Sequence, residues 1–172
     1  MRSDFFSRRI SAPFGVPFFL RFLFSGLLCL SLGATAADDV TKMHLTGSDF
    51  RSAHDALIET IEADGLVVSA VIPFNGMLAR TAKDLAHEAS PFADAEIIQF
   101  CSSVLAWQMV TEEASQLSLC PLSIAIYALA SDPKTVMLAY RSPGRISEGR
   151  AKADDLLRRL TARAAELARL RW

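Results

Sequence analysis

An α+β fold, with helices packed on one face of a largely antiparallel sheet, is what the sequence predicts. Three observations point to it. β-branched or alternating segments recur at residues 66–72, 96–101, 122–128 and 135–140. Segments of helical spacing lie between and after them. The turn Ser131-Asp132-Pro133-Lys134 joins the last two strands as a hairpin.

Taken in order, residues 40–45 (Val-Thr-Lys-Met-His-Leu) supply a first strand of weak alternation. From Ser52 to Asp64 the apolar residues Ala53, Leu57, Ile58 and Ile61 fall on one helical face, with Phe50 leading in. Ser52 is the expected N-cap, and Gly65 stands where a left-handed residue ends a helix. Leu66 to Ile72 is β-branched and stops at Pro73, which reads as a buried strand. Asn75-Gly76 marks a turn. A second helix is expected over 77–88, with Leu78, Ala82 and Leu85 inward, ended by Ser90-Pro91. Residues 96–101 read as a strand and 104–116 as a helix. Leu122–Ala128 and Thr135–Tyr140 are the hairpin strands, closed by Pro143-Gly144. The last element is a long helix, about 148–170, capped by Ser147. Ala153, Leu157, Leu160, Ala164 and Leu167 form its apolar stripe, and Arg158, Arg159, Arg163 and Arg169 its other side.

In front of this domain stands an expected signal peptide, residues 1–36. Arg2, Arg8, Arg9 and Arg21 make a basic start, Phe22–Leu32 an apolar run, and Ala34-Thr35-Ala36 a cleavage site. The run is too short to span about 30 Å of hydrocarbon. Leu28 before Cys29 does not suit a lipobox, and the residues after Arg8-Arg9 fit twin-arginine export poorly. The expectation is a periplasmic or secreted chain with no stable membrane anchor once the leader is cut. The domains expected are thus 1–36, an α+β domain over 37–147, and a basic amphipathic helix over 148–172.

Composition narrows the function classes. With 18 Lys and Arg against 19 Asp and Glu, the chain lacks the basic excess of a nucleic-acid binder. Three cysteines in 172 residues are too few for a disulfide scaffold. Charge is uneven: residues 37–140 hold 5 basic and 14 acidic side chains, residues 141–172 hold 9 and 4. The acidic body and basic helix would pair internally, pair with a second copy, or simply face solvent.

Residues 98–103 (Ile-Gln-Phe-Cys-Ser-Ser), 119–127 (Leu-Cys-Pro-Leu-Ser-Ile-Ala-Ile-Tyr) and 136–143 (Val-Met-Leu-Ala-Tyr-Arg-Ser-Pro) resemble the successive signature blocks of one family, domain of unknown function 302. Residues 50–72 resemble its opening helix and strand, so the likeness covers about 48–143. The resemblance implies a helix-grip-like sheet of about five strands curved around a long helix, homodimerisation, and no established activity. Ser102-Ser103 departs from the glycine or proline many members carry there, and the helix past Pro143 extends beyond the family core.

The chemistry-bearing residues are few. Cys101 and Cys120 are the two cysteines left after leader removal. They are candidates for a disulfide in an oxidising compartment, and two buried free thiols or a redox or copper-binding pair remain open. Met109, His44, His54 and His87 are the further ligands available, but no metal-type spacing groups them. Met77, Met109 and Met137 read as core filler, and His54 as a surface residue. Glu112-Glu113 diverge by about 100° on a helix. Trp107, with Met109 and Val110, reads as a buried aromatic, and Trp172 as a docking or fraying end. There is no Gly-x-Ser-x-Gly, phosphate loop or His-Glu-x-x-His. The sequence therefore predicts a non-catalytic exported binding or accessory protein with no cofactor. A small apolar ligand is expected between the long helix and strands 66–72, 97–101 and 124–140. A redox or copper-handling protein using Cys101 and Cys120 is the alternative.

Overall fold

The computed structural model describes residues 39–171. The expected leader over 1–36 and Trp172 lie outside the described residues. Nine main elements follow one another: β1 (Val40–Leu45), α1 (Phe50–Ala63), β2 (Val67–Ile72), α2 (Phe74–Thr81), β3 (Phe92–Cys101), α3 (Ser103–Glu112), β4 (Leu122–Leu129), β5 (Asp132–Arg141) and α4 (Glu148–Leu170). The five strands form one antiparallel sheet in the order β1-β5-β4-β3-β2. The α+β architecture expected from the sequence is the one observed.

The core lies between one face of this sheet and the helices α1 and α4. Period-two alternation decides which side chains reach it. On β4, Leu122, Ile124, Ile126 and Ala128 are buried, and the residues between them are less so. Across the ladder Ile98 faces Ile124 and Phe100 faces Leu122, while Leu138 faces Ile126 on the other side. These side chains meet Leu57 and Ile61 of α1 and Leu157 and Leu160 of α4, all essentially sealed from solvent. Small residues let the two helices approach closely: Ala53 and Ala56 on α1, and Ala153, Ala164, Ala165 and Ala168 on α4.

Local chemistry fixes the helix ends. The cap of α1 is Asp49, whose carboxylate accepts from the Ser52 amide at 2.8 Å, not Ser52 itself. The C-terminus behaves as expected. Gly65 adopts φ +75° and donates to the Glu62 carbonyl at 2.9 Å, while Leu66 donates to Ile61 at 3.2 Å. Ser147 caps α4 by accepting from the Arg150 amide. Ser102, where the family pattern has glycine or proline, caps α3 by accepting from Leu105.

Four expectations are corrected. The 66–72 segment is not a buried strand: β2 is an edge strand with Val67, Val71 and Ile72 exposed. The second helix starts at Phe74 and ends at Thr81, followed by a single 3-10 turn over Lys83–Leu85. Of the three residues expected inward, Leu78 stays on the helix and Ala82 is buried, whereas Leu85 falls in the 3-10 turn and is exposed. The third helix is also shorter, ending at Glu112, with a 3-10 segment over Ala114–Leu119. The hairpin turn sits earlier than the proline suggested. Leu129 pairs with Asp132, leaving Ala130-Ser131 as the turn, and Pro133 lies within β5.

The acidic body and basic helix do meet. Asp64, at the end of α1, accepts from Arg159 and Arg163 of α4, each at 2.9 Å. Arg145 bridges Asp154 and Asp155 at 2.9 and 2.8 Å.

Candidate functional site

Cys101 is the last residue of β3, exposed and opposite Val67. Cys120 immediately precedes β4 and is half-buried against the core. Both are free thiols in this structure. Burial pushes the Cys120 thiol above its usual range, and the neighbouring Cys101 adds to that push. A raised thiol stays protonated near neutral pH, so Cys120 is a poor nucleophile and a reluctant metal ligand. The strand register places Phe100 opposite Leu122, so both cysteines lie at the same end of the sheet, as their spacing suggested.

The other candidate ligands do not gather around them. Met109 is sealed in the core, its Cγ packed against the backbone of Gly149, where an added Cβ would come within 2.9 Å. His44 is on β1, His54 on α1 and His87 in the loop after α2. Among the described residues, no three His, Cys, Asp or Glu side chains form a group that could hold a metal.

Two side chains behave unlike their sequence reading. His54 is not a surface histidine: its Nδ1 lies 2.7 Å from Glu96 Oε2, and both side chains are about three quarters buried. The two atoms are in close contact without meeting hydrogen-bond geometry. Glu96 points to the core face because it shares the register of Ile98 and Phe100. No local signal marks the pair, since it joins residues 42 positions apart. Trp107 is likewise not buried, with 73 % of its surface exposed on α3.

Glu112 and Glu113 diverge as expected, and each has a structural task. Glu113 caps the following 3-10 segment through the Ser115 amide at 3.0 Å. Glu112 reaches the start of α4, accepting from the Gly149 amide at 2.8 Å and the Ser147 hydroxyl at 2.5 Å. These donors hold the Glu112 carboxyl below its usual range, the Ser147 bond contributing most. Its stabilising effect is therefore complete above the ordinary carboxylate range and fades as pH falls through the lowered value. Glu112→Gln is expected to flatten the fall in stability between neutral and acid pH, read by urea titrations over that range.

The space between the sheet and α4, where a ligand was expected, is occupied by the core. The residues named as pocket walls (Ile98, Ile124, Ile126 and Leu138 among them) are in mutual van der Waals contact with the helices. The hollows lie elsewhere. One of about 460 Å³ is bounded by Leu78, Ala82 and Leu85, with Thr81, His87, Ala89, Ser90 and Pro91 completing it. Its lining is mostly apolar. It is the same Leu78-Ala82-Leu85 face that the sequence pointed inward, left partly uncovered because the helix stops at Thr81. Ala86, in the left-handed region at φ 58°, turns the chain so that the His87 amide closes on Ala82 at 2.9 Å. A second, shallow depression of about 160 Å³ lies on the open face of the sheet among Ile97, Ala125 and Ala139.

The fold and these sites define a class: a small α+β domain with one helix-covered sheet face and surface hollows. The sequence matches the family described as Domain of unknown function DUF302 over residues 42–168, and the chain belongs to that family. The match runs to residue 168, so all but the last two residues of α4 lie within the family domain, and the helix past Pro143 is part of that domain rather than an extension of it. No curated protein matches the sequence. The crystal structure of an uncharacterised conserved DUF302 protein from Bacillus stearothermophilus shares the fold, with a TM-score of 0.51 at 14 % identity. The similarity covers 77 % of this chain and 97 % of that one.

Proposed function

We propose that this chain is an exported, non-catalytic binding domain that works as a homodimer and takes a small apolar ligand in the hollow beside α2. The carrying observation is the 460 Å³ apolar hollow, which lies within the roughly 300–1,000 Å³ of small-molecule sites. His87 is the one ionisable side chain on its wall, so the ligand class is an apolar body bearing a single hydroxyl or carboxylate. A series of straight-chain alcohols tests this. Each added methylene is worth about 0.8 kcal/mol on burial, so affinity should rise roughly fourfold per carbon until the hollow is full. Ala89→Phe, which places a ring in the hollow, should abolish binding without unfolding the protein. A flat affinity series, or binding that survives Ala89→Phe, refutes the proposal.

A second reading rests on the thiols. Cys101 lies near enough to Cys120 for its charge to raise the Cys120 thiol. In an oxidising compartment the two would join, enclosing the α3 segment, with a stabilisation of about 3 kcal/mol on the loop-entropy model. The expected result is an intact mass two hydrogens lighter after export, with neither cysteine alkylated unless a reductant is present. Stoichiometric copper on the purified protein, lost in Cys101→Ser, would instead favour metal handling.

A further inference from the structure

The two free edges of the sheet are unlike. The β1 edge carries Lys42 and His44, with the Asp39–Arg141 ion pair at its start. Charged side chains of this kind are how soluble proteins discourage further strand pairing. The β2 edge has no such protection. From Leu66 to Ile72 there is no charged residue and no proline, only Leu-Val-Val-Ser-Ala-Val-Ile. A single bulge between Val68 and Ala70 interrupts its ladder with β3.

The exposed apolar surface continues past this edge. Val67 is 74 % exposed, and Val71 and Ile72 are also open to solvent. Leu66 and Val104 of α3 share the rim of a hollow of about 420 Å³ whose far wall is charged, formed by Asp64, Lys152, Asp155 and Arg159. Val104 is exposed, and so is the Trp107 indole one turn further along the same helix. An exposed tryptophan on the helix that meets the start of this edge through Val104 is the kind of aromatic anchor that dominates interface centres.

We propose that the β2 edge is where a second copy of this chain docks, β2 against β2 in antiparallel pairing, with Val104 and Trp107 flanking the seam. The inference rests on the homodimer reading above and assigns its interface. The strip itself argues for the occupant. The strip Leu66–Ile72 itself offers a charged partner no counter-charge, whereas an uncharged β-branched strand fits, and this chain carries one. Pairing β2 with its own copy brings no like charges together, and a two-fold axis satisfies both edges at once. A standard interface takes about 800 Å² from each partner, more than a six-residue edge supplies. The Trp107 indole, worth about 150–250 Å² when buried, with Val104 beside it, narrows that gap.

Sedimentation equilibrium of protein purified after expression of the full chain tests this. The wild type is expected as a dimer. Val71→Lys and Trp107→Ala should each weaken self-association by about tenfold or more. Ala125→Lys, on the open sheet face, should leave the dimer intact. Amides of residues 67–72 in the wild type should gain protection from hydrogen exchange as concentration rises, a readout independent of any variant's folding. A monomeric wild type overturns the homodimer reading and this inference together. A dimer that resists both edge variants but is split by Ala125→Lys, or whose 67–72 amides exchange at a concentration-independent rate, overturns the edge assignment alone.

Discussion

Phe100→Ala is expected to lower the unfolding free energy by about 3–5 kcal/mol, the usual cost of removing a buried aromatic ring. Phe100 is fully sealed on the core face of β3, between Val68 of β2 and Leu122 of β4. Three strands and the helix layer converge on its ring, so the surroundings cannot collapse without moving the sheet. Domains of this size are stable by only about 5–15 kcal/mol. The single change therefore removes a large share of the total, and guanidinium titration followed by circular dichroism would show the midpoint fall. Phe100→Leu, which keeps most of the volume, should cost far less.

Ala164→Leu probes the opposite fault. Ala164 is fully buried on the face of α4 that also carries Leu160, Ala165 and Ala168, where α4 packs against α1. Three extra heavy atoms at such a site force the helices apart or the side chain off its rotamer, at about 1–3 kcal/mol. Because α1 and α4 together form the layer over the sheet, separation there loosens contacts with Ile98 and Ile124 as well. The melting temperature should drop by roughly 4 °C per kcal/mol. Arg169→Leu, on the exposed side of the same helix, should change stability by about 0.5 kcal/mol or less.

The contrast between these positions shows what the sequence made legible. The α4 stripe was readable because helical spacing and a serine cap are both local, and the Gly65 stop was readable because only a positive φ ends the helix that way. The cap of α1 was misplaced by three residues because Ser52 and Asp49 are both good cappers, and the choice depends on whether Phe50 is the lead-in or the first turn. β2 was misread for a deeper reason. A β-branched run is equally consistent with a central and an edge strand, and which one it is depends on what lies beside it. The site fared likewise. The shared sheet end of Cys101 and Cys120 followed from counting strands. The His54–Glu96 contact and the exposure of Trp107 are products of long-range packing, and no nearby residue announces them.

The strand order carries a consequence for how the molecule assembles. β2 through β5 are neighbours in space in the order in which they are made, but β1 pairs only with β5, nearly a hundred residues later. Closing so large a loop is entropically late. The strand that leaves the ribosome first thus waits for the last one to appear. Until β5 is made, Leu45 lacks the strand against which it is seated in the finished sheet.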